Sequence, residues 1–107
     1  MGLDELKEVD AIGVERDSGA IVLSIVDSWD WEDAPVHLEA LATKINAYLG
    51  FVEAGELLSS YPDAKARNVV IDIVGRYPIP SSADAFIASA RDTAEQYGVQ
   101  LRTKLIP

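Results

Sequence analysis

The side chains best suited to chemistry crowd into one stretch, "DSWDWED", from Asp27 to Asp33. It holds four carboxylates in seven residues, Asp27, Asp30, Glu32 and Asp33, interleaved with Trp29 and Trp31. Clustered carboxylates attract hard cations, but the helix-loop-helix calcium pattern wants oxygen ligands at its first, third and fifth positions. Trp29 and Trp31 occupy the third and fifth, so no metal site is expected. A structural role fits better: Asp30 or Asp33 caps a following helix, acids suit the positive end of its dipole, and one tryptophan plugs the gap beside it. Two residues apart in an extended segment, the indoles point the same way. Next to acids, such a pair can cradle an apolar or cationic ligand.

His37 is the only histidine. It falls about 80° from the centre of the apolar stripe of its helix. The chain has no cysteine, and no serine stands at a spacing that would let His37 activate it. It therefore reads as a bystander. Phosphate-binding loops, nucleotide fingerprints and paired catalytic carboxylates are missing. An enzyme is not favoured, and no cofactor is expected. Asn46 and Glu53 flank the same helix on the side away from His37. With Arg67 as counter-charge, they form a candidate polar rim to a ligand pocket that also includes Trp29 and Trp31, placed under the loop at 61–67. Their plainer role is to line a seam or face solvent. Phe51 points about 120° from the stripe and could anchor a partner.

Charge narrows the partners. Residues 1–63 carry a net −11 and residues 64–107 a net +2, for −9 in all. Such a surface repels phosphate backbones and anionic lipid, so neither nucleic acid nor membrane is an expected partner. A basic protein is, with Asp30, Glu32 and Asp33 as the complementary patch. Absence of cysteine suits a reducing interior, and with no leader-like start or membrane-length apolar run the expected location is the cytoplasm.

Turn signals divide the chain into short elements that would hold these groups in place. "VDAIGVER" and "AIVLSIVD" flank Asp17-Ser18-Gly19 and read as a hairpin with a bulged turn. From Asp33, a helix carries Leu38, Leu41, Ala42, Ile45, Tyr48, Leu49 and Val52 within about 60° of Ile45, ending or bending near Gly55. "NVVIDIV" reads as a strand. Ser81 with Asp84 resembles a capping box for a second helix, over Ala83, Phe86, Ile87, Ala90, Ala94 and Tyr97, stopped by Gly98. Alternation in "VQLRTKLIP" gives a last strand.

The order β-β-α-β-α-β predicts an α+β fold: a four-stranded mixed sheet with two helices on one face, forming a single domain over 9–107 behind an N-terminal extension at 1–8. The uncovered face would present Val22, Val26, Val70 and Val74 among Ser24, Asp72, Arg102 and Lys104. That mixture predicts self-association, with the four valines at a homodimer interface.

"VDAIG", the W-D-W segment, "KINAYLGFVEAGE" and "YPDAKAR" together resemble a family of roughly hundred-residue bacterial proteins filed as a domain of unknown function. The likeness runs from about Val9 to Leu105. It implies a bacterial source, an accessory role of the kind carried on mobile gene cassettes, and an α+β fold. It brings no catalytic or binding residues. The sequence thus predicts a small acidic homodimer that works by binding a protein, inhibitor-like or regulatory. The alternative is a small-molecule binder or minor enzyme with a pocket between the long helix, W-D-W and the 61–67 loop.

Overall fold

A computed structural model describes residues 10–60, 62 and 67–106. The expected extension at 1–8, and Tyr61 and Asp63 of the loop, lie outside the described residues. Strand β1 (Ala11–Val14) pairs antiparallel with β2 (Ile21–Asp27). Helix α1 (Ala34–Glu53) and the short α2 (Glu56–Ser60) lead to β3 (Val69–Gly75), which pairs parallel with β2. Helix α3 (Asp84–Gln96) then crosses to β4 (Val99–Leu105), parallel to β3. The sheet order is β1-β2-β3-β4.

Both crossovers step the same way along the sheet, so right-handed connections set α1 and α3 on one face. The core follows that geometry. Ile21, Leu23 and Ile25 of β2, Ile71 and Ile73 of β3, and Val99 and Leu101 of β4 share one cluster with Leu41, Ile45, Tyr48 and Leu49 of α1 and Ile87 and Ala94 of α3. Every strand member of that list has the same parity, as side-chain alternation requires.

Local signals account for the boundaries. Gly19, at φ +74°, closes the hairpin as its N–H donates 2.8 Å to the Glu15 carbonyl. Asp33 caps α1, its carboxylate accepting from the Val36 N–H, with Pro35 in the first turn. Gly55, at φ +79°, separates α1 from α2. The predicted capping box at Ser81 does not form. Ser81–Ala83 makes a 3-10 turn instead, and α3 starts at Asp84 without a side-chain cap.

Helix α1 is rolled relative to the expected stripe. Its buried residues are His37, Leu41, Lys44, Ile45, Tyr48 and Leu49, while Leu38 and Ala42 are only half-buried. The buried arc is therefore centred about 40° toward the His37 flank. A hydrophobicity pattern misses this because two ionisable residues sit inward, each held by a carboxylate.

The opposite face of the sheet carries Ala11 and Gly13 of β1, Val22, Ser24 and Val26 of β2, Val70, Asp72 and Val74 of β3, and Gln100, Arg102 and Lys104 of β4. Val22, Val26 and Val74 are half-buried, but Val70 is only 3% exposed. A side-chain bridge runs across this face. Arg102 donates 2.8 and 2.9 Å bonds to Asp72 and a 3.0 Å bond to Glu15, at the far end of β1.

Candidate functional site

Parallel strands β2, β3 and β4 all end at the same side of the molecule, where side chains from several loops can converge. Asp27 is the last residue of β2, and its carboxylate is shared. One oxygen accepts 3.1 Å from the Trp29 N–H; the other lies 2.5 Å from His37 Nε2. His37 Nδ1 lies 2.8 Å from the Asp30 carbonyl oxygen, which can only accept, so Nδ1 carries a hydrogen. On the other edge of the ring, Nε2 is hydrogen-bonded to the Asp27 carboxylate. Trp31 stacks on the imidazole at 3.6 Å and 17°, and Trp29 meets it edge-on at 5.8 Å. His37 is 1% exposed. The ring is thus a fastener, clamped on both edges and one face, and the W-D-W segment is what it fastens.

About two turns along α1, a second polar cluster does the same for the hairpin. Lys44 Nζ donates 2.7 Å to Asp10 Oδ1, with neither side chain exposed. Asp10 Oδ2 accepts 2.8 Å from the Val26 N–H, which lies beyond the last residue paired with β1. The Tyr48 hydroxyl accepts from the Asp10 N–H at 2.8 Å and donates 2.6 Å to the Ser24 carbonyl. Burial, reinforced by the Asp10 charge, pushes that hydroxyl well above the usual phenol range. Tyr48 is therefore a fixed donor and acceptor, not a proton carrier.

Two hollows open beside the Asp27–His37 couple. A crevice of about 150 Å³ is lined by Asp27, Gly75, Tyr77, Ile79, Thr103 and Lys104 among others. A shallower depression of about 360 Å³ is lined by Ser28, Trp29, Asp30, Asp33, Val36, His37 and Tyr77. Tyr77, 40% exposed, borders both. The first is well below the ~300 to 1,000 Å³ usual for an organic ligand site. Among the described residues, no three of His, Asp and Glu converge as metal ligands would. None of the described helices is long and apolar enough to cross a membrane.

The residues singled out in the sequence part into separate places. Trp29 and Trp31 come together around His37, both half-buried against the core, with Asp30, Glu32 and Asp33 exposed beside them. Asn46 is exposed on a groove between α1 and α3, with Phe86 and Thr93. Glu53 is exposed at the last position of α1, about 30 Å along the helix from its start. Arg67 donates 2.8 Å to the Gly19 carbonyl, at the strand ends opposite to W-D-W. The described residues therefore form no single pocket joining Trp29, Trp31, Asn46, Glu53 and Arg67. Phe51 is half-buried on the core and lies toward Glu53, away from the acids.

His37 itself is not the bystander expected. The roll of α1 buries it, and the signal that could have found it is the i, i+7 pair His37 and Lys44 bracketing Leu41, with acids at Asp27 and Asp10 able to meet them. One family model matches residues 1–107 and is described as a family of unknown function, DUF6572. No curated protein and no solved structure matches the chain.

Proposed function

The chain belongs to DUF6572, a family of unknown function, and from its geometry we propose that it is a binding module that captures a basic protein segment on the W-D-W edge. One observation carries this reading. Two tryptophans held rigid on a buried histidine are bordered by the exposed carboxylates of Asp30, Glu32 and Asp33. Rigid aromatics supply contact area at small entropic cost, and the acids steer and orient a cationic partner. Val36, 52% exposed, and Tyr77 extend the apolar part of the patch. A lysine or arginine of the partner can lie against an indole face while pairing with a neighbouring carboxylate.

Small-molecule binding is the weaker reading, because the crevice near Asp27, at about 150 Å³, is below the usual ligand size and the larger hollow beside W-D-W is shallow and open. Titration of an arginine-rich peptide, followed by tryptophan fluorescence at two salt concentrations, tests the proposal. Saturable quenching that weakens with salt is expected, and Asp30→Lys with Glu32→Lys should abolish it. Asp33 is left in place because it caps α1. Absence of a saturable change, or one indifferent to both substitutions, would remove the reading.

A further inference from the structure

We propose that the face of the sheet away from α1 and α3 is a homodimer interface, closed by a second copy of this chain through a two-fold axis running along the strands between β2 and β3. This does not rest on the binding reading, since the W-D-W segment follows the end of β2 and is no part of the face.

Charge singles out the occupant. The chain carries −9 overall, so most of its surface repels a second copy. This face does not. Its charged groups are Glu15 and Asp72 against Arg102 and Lys104, two acids and two bases. Arg102 bonds both acids, so three of these four charges are paired within each copy. A two-fold along the strands lays each copy's β1 side over its partner's β4 side, and the two faces it brings together carry no net charge. The Glu15–Arg102–Asp72 bridge crosses this face, where Asp72 is only 8% exposed and Val70 only 3%. What remains to be covered is the patch of Val22, Val26 and Val74 around Ser24.

Size agrees. Four strands about 4.8 Å apart and up to seven residues long span roughly 400 Å² in projection, and side-chain relief brings the accessible area to roughly 600 to 800 Å². That approaches the ~800 Å² per partner of a standard interface. Face-to-face sheets pack about 10 Å apart, a spacing that valines, alanine and glycine permit. Ala11 and Gly13 on β1 leave the relief that the long side chains of the facing β4 would fill.

Solution mass of the full chain is the test. Sedimentation equilibrium at micromolar concentration should give twice 11.6 kDa. Val74→Lys, with folding checked by circular dichroism, should weaken association by roughly tenfold or more. Should that variant fail to fold, Ser24→Cys answers instead, because the chain has no other cysteine. A short bis-maleimide should then join two copies through position 24, near the axis. A monomer across the concentration range overturns the proposal. So does a dimer indifferent to Val74→Lys, or one that cross-links through Thr103→Cys and not through Ser24→Cys, which would place pairing at the β4 edge.

Discussion

The two faces of the sheet solve the same problem in opposite ways. On the face under α1 and α3, the strands present Ile21, Leu23, Ile25, Ile71, Ile73 and Leu101, all 4% exposed or less. Polar groups enter that side at the carboxyl end of β2, as Asp27–His37 and Asp10–Lys44, and each is paired. None of the described helices covers the other face, and a surface ion bridge lies across its strands. The contrast teaches that charge is used inside to fasten elements to each other, and outside to flatten a surface without making it acidic.

The comparison can be broken from the inside first. Lys44→Ala removes the buried cation that donates to the Asp10 carboxylate, and should cost about 3 to 5 kcal/mol in denaturant unfolding. Changing the aliphatic residues separates the faces directly. Leu23→Ala, on the covered side, should cost about 2 to 5 kcal/mol, whereas Val26→Ala, half-buried on the other, should cost about 1 kcal/mol or less when measured dilute. Equal losses would erase the distinction. The smallest effect lies in the outer bridge. Bonds from Arg102, then from Ser18, hold the Glu15 carboxyl below the usual carboxylate range. A lowered folded-state pKa means stability that is present above the unfolded value and lost as pH falls through the folded one. Wild type should thus exceed Arg102→Gln by a small margin at neutral pH, and the two unfolding midpoints should converge in acid. A gap that persists unchanged at low pH would deny the bridge that role.

The architecture was readable because it rests on periodicity and on turn chemistry. Alternation in "IVLSIVD" and "NVVIDIV", with glycines at 19, 55 and 98 adopting positive φ, determined strands and boundaries with no knowledge of contacts. The site was less readable, for a physical reason. His37 and Lys44 enter the core only because Asp27 and Asp10, remote in sequence, wait there. A hydrophobic wheel prices both as surface residues and so misjudges the roll of α1. Trp29 and Trp31 were recognisable as a pair, but the histidine that organises them could not be seen until the fold joined residues 27 and 37. Arg67 and Glu53 looked plausible beside the tryptophans only because a sequence does not show which end of a strand a loop follows.

The strand order has a consequence for how the chain comes to be folded. β3 meets β2 across more than forty intervening residues, and β4 meets β3 across more than twenty. Closing such separated pairs costs loop entropy before any contact repays it. The bonds from Asp10 to Lys44 and Tyr48 join the hairpin to α1 without any group of β3, whereas the greasy side of β2 and α1 has no floor until β3 is in place. The polar ties are thus more local in sequence than the apolar core they border.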